Sequence, residues 1–230
     1  MISEPNILVI IPAFNEAKSI DKVIAEIPEF VHETVVVNNN SSDATSKVAA
    51  DSGATVLDEP RQGYGYACLK GIEYARTKQP DIIVFLDADY SDYPAEMVDV
   101  VKPIIDQDYD MVIGSRALGI KESGSMTPQQ VFGNWLATTL IKWVYKVKYT
   151  DLGPFRAIKF DKLLALNMKD TTYGWTVEMQ LKAAKQGLKT TEVPVNYRQR
   201  IGHSKVSGTL KGTVMAGYKI LSWIFKYALK

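Results

Sequence analysis

Ile82-Ile83-Val84-Phe85-Leu86-Asp87-Ala88-Asp89-Tyr90-Ser91-Asp92-Tyr93-Pro94 is the stretch whose reading decides the fold. Five apolar residues run unbroken to Leu86, then two carboxylates, Asp87 and Asp89, stand where the run stops. A short apolar run bounded by turn-forming residues predicts a buried strand of a parallel sheet. In open sheets of that kind, ligands bind beyond the carboxyl ends of the strands. A carboxylate pair there is a hard oxygen site of the sort Mg²⁺ or Mn²⁺ shares with substrate phosphates. The same pair also suits a plain turn, because Asp hydrogen-bonds its own backbone there.

Outward from this stretch, strands are predicted over residues 7–12, 34–37 and 54–57 upstream and 111–114 downstream. Helices are predicted near 17–27, 44–52, 62–77 and 94–105. Strands alternating with helical patterns predict a doubly wound, mostly parallel sheet with helices on both faces. Beyond Ser115 the pattern loosens. Residues 119–128 read as a polar loop and 129–148 as a long amphipathic helix carrying Trp135 and Trp143. A returning strand (155–160), a helix (177–186), an alternating strand (188–197), a second polar loop (201–208) and a helical tail follow. Residues 1–207 are expected to form one α/β domain. Residues 208–230 are expected to form an amphipathic helix that either packs on that domain or touches a membrane surface.

The chain has 230 residues, a net charge of +1 and 46% hydrophobic residues, as suits a globular domain without a nucleic-acid footprint. Its charge is uneven. From Val193 onward Arg198, Arg200, Lys205, Lys211, Lys219, Lys226 and Lys230 are met by no acidic residue, which predicts an anionic partner for this end. Cys68 is the sole cysteine, so no intrachain disulfide forms and a reducing, cytoplasmic setting fits. The N-terminus does not read as a signal peptide, and no apolar run reaches the ~20 residues that span a bilayer.

Four loops, 12–16, 38–43, 58–65 and 87–89, should converge at one sheet edge. Gly63 and Gly65 would let backbone approach a ligand closely. They do not form G-x-G-x-x-G and do not follow the first strand, which argues against a dinucleotide site. Glu178, early in its helix, reads either as a general base for a hydroxyl acceptor or as a helix-start carboxylate. Lys205, with Arg198 and Arg200, reads as a phosphate-binding group or as part of a solvated loop. His203 is a conceivable further metal ligand and is left out of the metal set. On a helical wheel the tail gathers Lys211, Lys219, Lys226 and Lys230 beside an apolar face with Trp223 at its border, as at a membrane surface or on a docked helix.

Together, Ile11-Pro12-Ala13-Phe14-Asn15-Glu16, the 38–43 loop and Asp87-Ala88-Asp89 resemble a family 2 glycosyltransferase of the glycosyltransferase A fold. Arg116, Asp151-Leu152-Gly153-Pro154-Phe155-Arg156 and His203-Ser204-Lys205 narrow the resemblance to the branch of dolichyl-phosphate mannose synthase and bacterial polyprenyl-phosphate sugar transferases. It implies that Pro12, Ala13, Glu16 and Asp43 hold the nucleotide, with Gly63 beside them. Asn38 stands where many members carry Asp, which keeps an acceptor and loses a charge. Asp87 is implied to face the ribose and diphosphate, Asp89 to hold Mg²⁺ or Mn²⁺, and Arg116 to face phosphate; Asp89, Glu178 and Arg116 are expected to carry the chemistry, and Arg156, Arg198, Arg200 and Lys205 to meet phosphate or acceptor. The implied activity is metal-dependent, inverting transfer of a hexose from a nucleotide-diphosphate sugar to a polyprenyl phosphate at the cytoplasmic membrane face, in building the cell envelope. Transfer to a hydroxyl with Glu178 as base is the alternative.

Overall fold

Ile7–Ala13 (β1) is buried along its whole length, and its side chains alternate between two cores. Leu8 and Ile10 join one core and Ile7, Val9 and Ile11 the other, as the two-residue period of a strand requires. A computed structural model describes residues 5–202 and the helix 210–228. β1 is central in a seven-stranded sheet with β2 (Glu33–Asn38), β3 (Thr55–Asp58), β4 (Ile82–Phe85), β5 (Met111–Ser115), β6 (Arg156–Lys159) and β7 (Thr190–Pro194). The strand order is β3-β2-β1-β4-β6-β5-β7. β6 alone runs antiparallel, inserted between β4 and β5 with Arg156 opposite Phe85 and Ile113.

Helices α1 (Ile20–Ala25), α2 (Thr45–Asp51) and α4 (Met97–Gln107) supply Ile20, Val23, Ala49, Met97, Val100 and Ile104 to one core. The other core takes α3 (Tyr64–Lys78), α5 (Pro128–Tyr145), α6 (Phe160–Leu166), α7 (Trp175–Lys185) and α8 (Leu210–Ala228), through residues such as Cys68, Ile141, Leu163, Trp175 and Ile224. A single Pro94–Glu96 turn of 3₁₀ helix precedes α4. α6 has no counterpart in the sequence reading, which ended that segment as strand.

α5 starts at a capping box: Thr127 accepts from the Gln130 backbone while the Gln130 side chain accepts from Thr127 N–H, and Pro128 occupies the first turn. The 119–127 loop before it is tied along its length to residues 196–199. Glu122 N–H donates to Tyr197 O at 2.8 Å and Gln199 N–H donates to the Glu122 carboxylate at 2.9 Å. Tyr145 O–H donates to Ile224 O at 3.0 Å and joins α5 to α8. These two helices leave Val131, Phe132, Trp135, Trp143, Tyr218 and Phe225 exposed.

Candidate active site

The parallel strands place their carboxyl ends along one edge, and there the loops after β1, β2, β3 and β4 surround a cleft of about 500 Å³. Pro12, Ala13, Glu16, Gly63, Asp87, Asp89 and Arg200 line it, together with Tyr64, Thr172 and Tyr173. Asp89 is nearly buried. One of its oxygens accepts from Ser91 N–H at 2.9 Å and from the Ser91 hydroxyl at 2.5 Å. The other faces Arg200, whose Nη1 lies 3.0 Å away. The second nitrogen of that fork, Nη2, reaches Glu16 at 3.2 Å. Asp87 accepts from Tyr64 O–H at 3.0 Å. Burial, and then the charge of Asp89, raise the Asp87 carboxyl to about 7, against the opposite pull of the Tyr64 hydroxyl and Arg200.

Asn38 and Asp43, also expected at the nucleotide, are not among the residues that line the cleft. Asn38 donates to the Asp58 carboxylate at 2.8 Å and accepts from Ser41 N–H, which closes the loop after β2. Asp43 is exposed and accepts from Ala17 N–H at 3.2 Å and from Thr45 N–H at 3.0 Å, tying the loops after β1 and β2 together. Asn39 was not singled out in the sequence. Asn39 lines the cleft, accepts from Gly63 N–H at 2.7 Å and donates to the carbonyls of Glu59 and Arg61. Gly63 lines the cleft as expected, yet the close approach that demands glycine is internal. A Cβ on Gly63 would collide with the Thr171 carbonyl, and one on Gly65 with that of Asp170.

That contact fixes the 170–173 wall. Asp170 accepts from Thr172 N–H and Gly174 N–H with one oxygen. Its other oxygen receives the Trp223 indole N–H at 2.6 Å and pairs with Lys219 at 3.2 Å, both from α8. Gly174 leaves no room for a side chain beneath the Trp223 ring. Asp170, Tyr173 and Trp223 were outside the site read from sequence; the signal present was the run of Thr, Tyr and Gly at 171–174, typical of a tight loop.

Four expectations are corrected. Glu178 is fully buried, accepts from Lys169 N–H at 3.0 Å and Asp170 N–H at 2.7 Å, and pairs with Lys182 at 2.7 Å. It folds the 167–170 segment and does not face an acceptor. Arg156 is also fully buried, with its guanidinium on the carbonyls of Leu152, Gly153 and Thr176. Burial lowers its pKa to about 10, which still leaves it charged at neutral pH. Arg198 is locked by Glu26 at 2.8 Å, by the Tyr90 carbonyl at 2.7 Å and by the faces of Tyr90 and Tyr93. Arg116 forms a two-pronged pair with Asp151, both bonds 2.8 Å, under the Tyr197 ring, and is outside the cleft lining. Burial raises the Asp151 pKa, but Arg116 overrides it and holds this carboxyl below the usual range. Of the basic residues expected at phosphate, Arg200 alone lines the cleft; Lys205 and His203 lie outside the described residues. Asp92, below Asp89, has no hydrogen-bond partner for either oxygen among the described residues, and burial, then the charge of Asp87, pushes its pKa up.

A cleft of carboxylates and loop backbone at the strand-end edge of such a sheet is where a ligand is expected, and comparison with known proteins gives the class. The glycosyl transferase family 2 model matches residues 8–166. The chain belongs to this family. An uncharacterized glycosyltransferase of Mycobacterium tuberculosis is 34% identical over 91% of this chain and 94% of its own length. The undecaprenyl-phosphate mannosyltransferase of Micrococcus luteus is 27% identical, covering 90% of this chain and 89% of that one. The dolichyl-phosphate hexose transferase of Haloferax volcanii is 29% identical, with 87% and 86% covered. Among solved structures, glucosyl-3-phosphoglycerate synthase of Mycobacterium tuberculosis, in complex with Mn²⁺, UDP and glucosyl-3-phosphoglycerate, superposes with a TM-score of 0.76 at 21% identity. That superposition covers 97% of this chain and 80% of the other. The fold is the glycosyltransferase A fold, and the protein is a family 2 glycosyltransferase.

Proposed function

We propose that this enzyme transfers a hexose, with inversion, from a nucleoside-diphosphate sugar to a polyprenyl phosphate at the cytoplasmic face of a membrane, assisted by Mg²⁺ or Mn²⁺. Relatives that act on undecaprenyl and dolichyl phosphates match nearly their whole length, and this observation carries the acceptor. The structural neighbour's product, glucosyl-3-phosphoglycerate, shows that this fold also serves soluble acceptors.

The residues fit a divalent cation. Asp89 is a rigid oxygen donor at a strand end, already opposite a positive charge. An ion there would be held by one or two carboxylates, with substrate phosphates completing its shell. Bound there, the cation would neutralise charge developing on the departing diphosphate. Pro12, Ala13, Glu16 and Asn39 shape the nucleotide end, and Arg200 supplies a forked donor to phosphate. An acceptor phosphate is anionic at neutral pH and needs no base. The hydroxyl-acceptor alternative loses its base with the burial of Glu178.

The exposed aromatic face of α5 and α8 supports docking on a lipid surface. An apolar hollow of about 470 Å³ is lined by Met126, Pro128, Val131, Phe132 and Trp135. Trp143 stands 70% exposed on the same helix. No helix among the described residues is long and apolar enough to cross a membrane, and aromatic residues at the interface suit a surface attachment. The test is transfer from radiolabelled nucleotide sugars to undecaprenyl phosphate in anionic vesicles, with Phe132→Ser/Trp135→Ser/Trp143→Ser beside wild type. The expected result is lipid-linked sugar, with vesicle binding lowered at least about tenfold in the triple variant. Absence of lipid-linked product together with transfer to a soluble acceptor would overturn the reading.

A further inference from the structure

Arg200 stands where a cation is needed and a cation is what it supplies. Its guanidinium bridges Asp89 at 3.0 Å and Glu16 at 3.2 Å, two carboxylates that are both nearly buried in the cleft. Left without a counter-charge, such a pair would repel and lose solvation together. The planar fork of arginine meets two carboxylates at once, which an ammonium does poorly. Its Nε–H is buried and has no partner among the described residues, so one donor is held in reserve. The backbone beneath is fixed: Arg198 N–H donates to Ser91 O and Ile201 N–H to Asp89 O, each at 2.9 Å, and the Arg198 side chain is clamped by Glu26. The backbone on either side of Arg200 is thus anchored, so an exchange of partners would fall to its side chain alone.

We propose that Arg200 occupies the cation seat of the ligand-free enzyme and yields it only when a nucleoside diphosphate and a divalent metal enter together. The proposal rests on reading Asp89 as the metal anchor. A metal arriving alone must displace a charge-assisted bond and still lack the phosphate oxygens that complete its shell. With a diphosphate present, the released guanidinium gains new anionic partners, and its unused Nε–H gains an acceptor. Metal and nucleotide binding are thereby coupled, each raising the affinity for the other by the same factor.

The experiment follows the free Mn²⁺ signal by electron paramagnetic resonance during titration of the full-length chain, with and without UDP or GDP. It compares wild type, Arg200→Gln, Arg200→Met and Asp89→Asn. Without nucleotide, both Arg200 variants should bind Mn²⁺ at least about tenfold more tightly than wild type, the size of one charge-assisted bond. In the absence of metal, the same variants should bind the nucleoside diphosphate about tenfold more weakly by calorimetry. Unchanged Mn²⁺ affinity in both Arg200 variants, with Asp89→Asn abolishing Mn²⁺ uptake in the presence of nucleotide, would overturn the exchange and leave the metal site standing. Mn²⁺ uptake by Asp89→Asn equal to wild type would overturn the metal reading itself, and the exchange with it.

Discussion

The charges that line the cleft and those held in the segment from β5 to α7 are used oppositely. Glu16, Asp87, Asp89 and Arg200 line an open cleft. Arg116, Asp151, Arg156 and Glu178 are turned inward and matched by each other, by Lys182 or by backbone. A charge that finds its partners inside the fold builds the scaffold; a charge left at a strand end with room in front of it can act on a ligand. Residue type and motif membership do not separate the two classes. Place relative to the cleft does: the first group lines it and the second finds its partners away from it.

Substitutions sharpen this contrast. The largest effect is expected for Asp89→Asn, which should lower transfer at least about 10³-fold, since electrostatic stabilisation of the leaving group is lost. Its melting temperature should stay within a few degrees of wild type, while the stabilisation wild type gains from Mn²⁺ plus UDP disappears. A retained ligand-induced shift would remove Asp89 from the site. Arg156→Met should act on the fold instead, costing about 3 kcal/mol in urea unfolding because buried carbonyls lose their donor. A variant with wild-type stability and a raised KM for either substrate would return Arg156 to the phosphate site.

Glu178→Gln should cost about 2 kcal/mol of stability, as it weakens the bonds to Lys169 and Asp170 and leaves Lys182 without its ion pair. Below its melting range the variant should keep kcat within about threefold of wild type. A drop of 10²–10⁴-fold would mark a general base after all. The smallest effect concerns pH. Arg116 holds Asp151 below its unfolded value, so this pair adds stability above about pH 4, which is lost as pH falls through the depressed folded value. In Asp151→Asn the acid limb of a stability-versus-pH curve should flatten by about 1–2 kcal/mol. An unchanged limb would mean that other carboxylates set the acid sensitivity.

The parallel half of the fold was legible because its signals are local: apolar runs ending in polar clusters mark each strand and its loop, and β1 and β2 lie within one residue of expectation and β4 within two. The antiparallel placement of β6 between β4 and β5 was not legible, since four residues of strand say nothing of their neighbours. Nor was the inward turn of Arg156, which depends on its register opposite Phe85. In the cleft, Pro12, Ala13, Glu16, Gly63, Asp87, Asp89 and Arg200 were read from motifs and do come together. The 170–173 wall was missed, because Asp170 gains its meaning only from Trp223, 53 residues later.

That last bond also orders events in time. The 170–173 wall can form its turn as soon as α7 is in place, but the buried carboxylate of Asp170 stays without its indole and ammonium partners until α8 has been made and has docked. During synthesis, the four strand-end loops on the donor side would precede a finished cleft by more than half the chain. An emerging polypeptide therefore has a nucleotide shelf long before it has a closed pocket. The Asp170 wall gains its last two side-chain partners only once α8 has docked.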